Sequence, residues 1–174
     1  LHLGHSVVLR LLRRFQDLGH TVIFLVGDFT ATIGDPTGRS EARPPLSKSE
    51  IDKNMASYVE QAGNVLDMKR VEVRHNSEWY DTMSVLDLLQ LSSTVTYGQI
   101  AARRDFRKRL AADEDFTLTE FTYPVLQGYD SVMLRADVEV GGSDQLFNML
   151  MGRRIQRGHK QSEQDVITAT LLEG

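Results

Sequence analysis

The chain has 174 residues, 41% of them hydrophobic and 25% charged, with 20 basic and 24 acidic residues and a formal net charge of −4. A chain of this length buries roughly 70% of its unfolded surface, enough for one hydrophobic core, and its slight acidity excludes holding nucleic acid by bulk charge while leaving a local basic patch open. The absence of cysteine excludes disulfides, thiolate nucleophiles and Cys-ligated zinc or iron–sulfur centres, and no apolar run reaches the roughly 20 residues of a membrane span.

In residues 6–18, Val7, Leu11, Phe15 and Leu18 recur every three or four positions, which predicts a helix stopped by Gly19. Residues 21–26 form an apolar, β-branched run without alternation, the pattern of a strand covered on both faces. Residues 27–46 are rich in Gly, Pro and polar groups and read as one long loop, a feature often tied to function. Ser47 with Glu50 makes a capping box for a helix to about residue 61, closed by Gly63. Val71-Glu72-Val73-Arg74 alternates like a short strand, and Ser84 with Asp87 opens another helix. Residues 97–112 read as one basic helix followed by the acidic turn Asp113-Glu114-Asp115. Thr117 or Thr119 caps a helix to about residue 134, with Pro124 in its first turn or kinking it. A strand over 137–140 runs into Gly141-Gly142, Ser143 caps a helix over 144–156, and residues 166–172 form a last strand. This order predicts an α/β fold with a mostly parallel, doubly wound sheet. It divides into a first half-fold over 1–63, a helical insertion over 64–118 and a second half-fold over 119–174. Both ends read as cut from a longer protein.

Four segments fall at predicted strand ends or helix mouths. In His2-Leu3-Gly4-His5, the glycine opens the backbone to a flat ring or a phosphate, and both imidazoles and the free helix N–H groups favour negative charge. Two surface histidines at a cap would look the same, and without a third ligand a zinc ion would be under-coordinated. Asp28 and Asp35 lie beyond the first strand, where α/β ligands bind and where a carboxylate suits an ammonium group; a turn-rich linker is the alternative. Tyr123, Gln127 and Asp130 share one helical face, directed at a polar ligand or at solvent. Gly141-Gly142-Ser143-Asp144-Gln145 joins a strand to a helix, with Asp144 suited to ribose hydroxyls and Gln145 to a carboxylate or phosphate; a capped turn is its plain reading. It matches neither the dinucleotide fingerprint nor the P-loop. Arg103, Arg104 and Arg107 are candidate RNA contacts or part of a solvated face. Trp79 reads as packing or subunit contact.

Together these residues resemble the catalytic core of bacterial tyrosyl-tRNA synthetases, which are class I aminoacyl-tRNA synthetases. His2-Leu3-Gly4-His5 matches the first signature of that class, residues 123–130 the tyrosine-specific helix, residues 141–145 the ribose-side loop, and Gly34-Asp35-Pro36-Thr37-Gly38-Arg39 the loop of the first half-fold. The resemblance covers essentially the whole chain and implies a Rossmann-like nucleotide-binding fold. It implies ATP-dependent activation of L-tyrosine to tyrosyl-adenylate and transfer to tRNA(Tyr). Asp130 would accept from the phenol, and Tyr123, Gln127 and Asp35 would surround the ammonium group. His2, Gly4 and His5 would hold ATP, with both histidines assisting the transition state. Gly142 and Asp144 would meet the ribose, and Gln145 the reacting carboxylate and α-phosphate. Magnesium would come with ATP rather than as a protein-bound metal. A cytoplasmic homodimer joined through residues 64–118 is implied, with no membrane or DNA partner. The family's K-M-S-K-S loop, the strand before the first signature and the RNA-binding C-terminal domains lie outside these 174 residues, so the fragment alone is expected to be weak or inactive. Glu139 and Leu146-Phe147 stand where better-known relatives carry Gln and Trp-Gly. The alternatives are a tryptophanyl-tRNA synthetase, whose indole pocket would not need Asp130, another H-x-G-H nucleotidyltransferase, or a non-enzymatic RNA-binding relative.

Overall fold

A computed structural model describes residues 2–33 and 48–170. The first helix, α1 (Leu3–Asp17), starts earlier than its apolar spacing indicates, because His2 caps it by accepting from the Gly4 N–H. It ends at Leu18, and Gly19 leaves the helix at φ +93°, where a glycine has no Cβ to strain. The strand β1 (Val22–Val26) follows as expected.

Beyond β1 the expected long loop is corrected at its start. Residues Asp28–Ile33 form a helix, α2, whose Phe29 N–H is accepted by both Asp28 Oδ1 and Asn76 Oδ1 at 2.9 Å. Capping from a residue 47 positions away overrides the turn-like local composition. Residues 34–47, with Asp35 and the Ser47 cap, lie outside the described residues. The next helix, α3 (Lys48–Ala62), stops before Gly63 as anticipated.

The segment 64–118 contains a strand as well as helices. β2 (Val71–His75) pairs in parallel with β1, Val22 opposite Val71 and Val26 opposite His75. Four short helices follow: α4 (Ser77–Tyr80), α5 (Val85–Ser92), α6 (Tyr97–Ala101) and α7 (Arg104–Ala111). The Ser84–Asp87 capping box is present on α5. The single basic helix over 97–112 is corrected to α6 and α7. The break falls at Ala102-Arg103, where the Arg103 backbone is extended (ψ 136°) and its side chain turns inward to pair with Asp105 at 2.8 Å.

Thr117 caps α8 (Leu118–Leu134) through a capping box with Glu120. Pro124 therefore lies in the helix interior rather than the first turn. The loop expected at Gly141-Gly142 is instead the end of β3 (Val138–Gly142), held in a parallel ladder against Thr168 and Ala169 of β4 (Asp165–Ala169). Ser143 does not cap the following helix. A 3-10 turn (Ser143–Gln145) leads into α9 (Leu146–Gly158).

Both strand pairs are parallel, as an α/β fold requires, but β1–β2 and β3–β4 are not hydrogen-bonded to one another. β1 and β3 face each other across a cavity of about 770 Å³. One apolar cluster joins Trp79, Tyr80, Ile100 and Phe106 to Val125 and Ile155, so the short helices pack into the same core as α8 and α9. A smaller cluster seats α1 on β1 through Leu9, Val22, Ala62 and Leu66. The α8–α9 crossing is close: a Cβ at Gly128 would fall 2.8 Å from Ile155 Cδ1 and 3.1 Å from the backbone of Met151 and Gly152. Gly128→Ala is expected to destabilise the fold by about 1–3 kcal/mol, read as a lower denaturation midpoint. An unchanged midpoint would contradict this crossing. Among the described residues no helix is long and apolar enough to cross a membrane.

Candidate functional site

The helix mouth at the start of α1 is built by its own two histidines. His2 Nδ1 accepts from Gly4 N at 3.1 Å, His5 Nδ1 accepts from His2 N at 3.2 Å, and the ring centroids are 4.0 Å apart. A Cβ at Gly4 would fall 2.9 Å from His2 Cε1, so a side chain there would move the imidazole off its folded-back position. With both Nδ1 atoms accepting, each neutral ring carries its proton on Nε2, as an outward donor. Partial desolvation and then the neighbouring His2 hold the His5 proton affinity below the ordinary imidazole value, with Asp144 opposing weakly. The helix supplies further free N–H groups at this end.

His5 lines the large cavity together with Gln127, Asp130, Glu139 and Gly142. His5 of the first signature, two residues of the polar face of α8 and the length of β3 therefore open onto one space, which runs along the facing edges of β1 and β3. Asp130 lies at its buried end, with 6% of its surface exposed. Its Oδ1 accepts from Trp79 Nε1 at 3.0 Å, and Asn76 Nδ2 lies 3.4 Å from Oδ2. Burial pushes the Asp130 carboxyl up to about 7, against the Trp79 and Asn76 hydrogen bonds that favour its charged form. The Tyr80 hydroxyl donates to the Leu126 carbonyl, and burial followed by the Asp130 charge raises its proton affinity too.

Gln127 belongs to a second polar string. Asn148 Nδ2 donates to Gln127 Oε1 at 2.8 Å and to Gln145 Oε1 at 3.1 Å, and Gln145 Nε2 donates to Asp144 Oδ2 at 3.0 Å. This ties α8 to the 3-10 turn after β3. Tyr123 is half-buried one turn before Gln127 on the same helix. Asp28, at the end of β1, anchors α4: its carboxylate accepts from Ser77 N, Ser77 Oγ and Phe29 N. These bonds overcome the burial penalty and hold its pKa below the usual carboxylate value. Of the three candidate RNA contacts, Arg104 and Arg107 are exposed, whereas Arg103 is buried against Phe106 and Phe147. Among the described residues no group of three His, Cys, Asp or Glu side chains is arranged to hold a metal ion.

Sequence reasoning missed Asn76 and Trp79 as partners of Asp130. A usable signal was present: a lone Trp just past a strand end carries an indole N–H that must find an acceptor when buried.

A histidine-capped helix mouth, a buried acid and an amide string are carried by an α/β core of two parallel strand pairs. The profile of tRNA synthetases class I (W and Y) matches residues 1–174, and the chain belongs to that family. It is 52% identical over 174 residues to tyrosine–tRNA ligase of Xylella fastidiosa and 54% identical over 177 residues to that of Synechococcus, in each case along 100% of this chain. The chain spans 42% and 43% of the length of those two relatives. A C-terminally truncated mitochondrial tyrosyl-tRNA synthetase of Aspergillus nidulans superposes with a TM-score of 0.82 at 28% identity, covering 100% of this chain and 58% of that one. The Archaeoglobus fulgidus tyrosyl-tRNA synthetase complexed with L-tyrosine shares the fold, with a TM-score of 0.78 at 22% identity over 100% of this chain and 52% of its own.

Proposed function

We propose that the full-length protein carrying this chain is a tyrosine–tRNA ligase, and that these residues form most of its amino-acid activation site. The observation that carries the reading is Asp130, a buried carboxylate at the end of the shared cavity, held by Trp79 and Asn76. Its acceptor atoms suit a phenolic hydroxyl, and a substrate lacking that hydroxyl would leave the carboxylate without its partner, a penalty of about 1–3 kcal/mol or more for a charged group. Tyr123, Gln127 and Asp35 would bind the ammonium group, although Asp35 lies outside the described residues. Gln145 would meet the substrate carboxylate, and its hydrogen bonds to Asn148 and Asp144 support a fixed orientation.

In this reading the tyrosine carboxylate attacks the α-phosphorus of ATP, forming the acyl–phosphate bond of tyrosyl-adenylate as pyrophosphate leaves. The ribose of tRNA(Tyr) then takes the acyl group, and AMP leaves. No side chain becomes covalently attached, so the protein acts by positioning and by stabilising developing charge. His2 and His5 would donate from Nε2 to phosphate oxygens, Gly4 would admit the nucleotide, and Gly142 and Asp144 would contact the ribose. Magnesium enters as part of the nucleotide substrate.

The apolar stretch of the cavity beside Val8, Leu9, Leu12 and Val22–Leu25 supports the placement of the family's preceding strand between β1 and β3. Val85, Leu86, Leu89 and Leu118 are between 62% and 85% exposed, which supports a homodimer through this region. Arg104 and Arg107 remain candidate RNA contacts, and a cytoplasmic setting fits the reading. The test is aminoacylation: the full-length protein should charge tRNA(Tyr) with tyrosine when ATP and magnesium are supplied, and failure to charge it would overturn the reading.

A further inference from the structure

The amide string that joins α8 to the turn after β3 has a fixed polarity, which starts at Asp144. A carboxylate only accepts, so Gln145 meets Asp144 Oδ2 with its Nε2, at 3.0 Å. That turns Gln145 Oε1 the other way, where Asn148 Nδ2 donates at 3.1 Å and Gln127 Nε2 lies at 3.4 Å. Gln127 Oε1 in turn accepts from the same Asn148 Nδ2 at 2.8 Å. One nitrogen at the start of α9 thus holds two glutamines that lie 18 positions apart in sequence. Asn148 is 2% exposed, and its Oδ1 is buried with no partner among the described residues. A buried unpaired acceptor is costly, and turning the amide over would be costlier still, because Oδ1 would then face both Oε1 atoms.

We propose that Asn148 is a positioning residue for amino-acid activation: its amide nitrogen locks Gln127 and Gln145 in the orientations that the two ends of an amino acid require. This rests on the tyrosine reading above and adds a residue to it. In that reading Gln127 meets the substrate ammonium, which only donates, and Gln145 meets the substrate carboxylate, which only accepts. The string presents groups of matching polarity. Gln127 Oε1 has a second lone pair beside the one Asn148 uses, and Gln145 carries its nitrogen on the Asp144 side. Turning either glutamine over would set an N–H against the ammonium or an oxygen against the carboxylate. Asn148 acts through the two glutamines rather than on the substrate, and by tying them together it makes one site read both ends of one molecule. Its support is rigid. Gly128, next to Gln127, lies against Met151 and Gly152, one turn beyond Asn148 on α9, so both helices carrying the string are held at their crossing.

The test is a double-mutant cycle, read as kcat/KM for tyrosine in ATP–pyrophosphate exchange by the full-length protein. Asn148→Asp keeps the shape and puts an acceptor where the donor stood, and it should lower kcat/KM by about tenfold. In the Gln127→Ala and Gln145→Ala backgrounds the loss on the same substitution should be smaller by about twofold or more, because residues in contact couple. A residue that merely supports the fold would lower the denaturation midpoint and cost the same in every background. An undiminished loss in either background, or wild-type kcat/KM in Asn148→Asp itself, would overturn the proposal. If Asn148→Asp does not fold, Asn148→Ala removes the same donor without burying a charge and enters the cycle with the same two readings. Absence of tyrosine-dependent exchange in the wild type would instead remove the functional reading itself, so the two failures are distinguishable.

Discussion

Asp130→Asn in the full-length protein is expected to lower kcat/KM for tyrosine in ATP–pyrophosphate exchange by about 10²-fold. A hydrogen bond to a charged group contributes about 1.5–3 kcal/mol, and each 1.4 kcal/mol is tenfold. The amide keeps one acceptor oxygen for the Trp79 indole, which donates at 3.0 Å, but it offers a phenol an N–H where an oxygen stood. The same change removes the cost of burying a charge, which raises the carboxyl to about 7, but it also turns an N–H toward the Asn76 amide donor, so the two effects on stability oppose each other. Wild-type kcat/KM should fall as pH drops through about 7, because protonated Asp130 loses the charge that makes it a strong acceptor. The Asn variant should lack that limb. An Asn variant with wild-type kcat/KM and an intact acid limb would show that Asp130 does not meet the substrate.

His5→Ala and His2→Ala are each expected to lower kcat for adenylate formation by on the order of 10²-fold, the loss typical of removing one donor to a developing oxyanion. The two should differ in their side effects. His2 is the N-cap of α1 and accepts from Gly4 N, so its loss also removes about 1 kcal/mol of helix stability. The His5 ring makes the reciprocal bond to the His2 N–H and faces the cavity. Because the His5 proton affinity is held low, its loss should leave kcat nearly flat between pH 7 and 8. Pre-steady-state formation of the adenylate measures this directly. Full activity in both variants would reduce the helix mouth to a cap.

Much of the fold was legible because its signals are local. Apolar periodicity in residues 6–18, the unbroken run over 22–26 and the boxes at Ser84 and Thr117 each depend on residues within one turn or one strand. The misread elements depend on distant partners. α2 exists where Asn76 reaches back to cap Phe29, the basic helix breaks where Arg103 buries itself beside Phe147, and Gly141-Gly142 stay extended because β4 pairs with them. The site followed the same division. Asp130, Gln127 and His5, singled out from spacing and resemblance, line one cavity. Asn76, Trp79 and Gln164 act through contacts made across 54, 51 and 25 positions of sequence, beyond the reach of any spacing rule.

The measurement that bears most directly on the central claim is ATP–pyrophosphate exchange by the full-length protein, with magnesium and each of the twenty amino acids supplied separately. Exchange that depends on tyrosine, with phenylalanine and tryptophan giving little, is the result this account predicts. Exchange driven by tryptophan, or none with any amino acid, would contradict it.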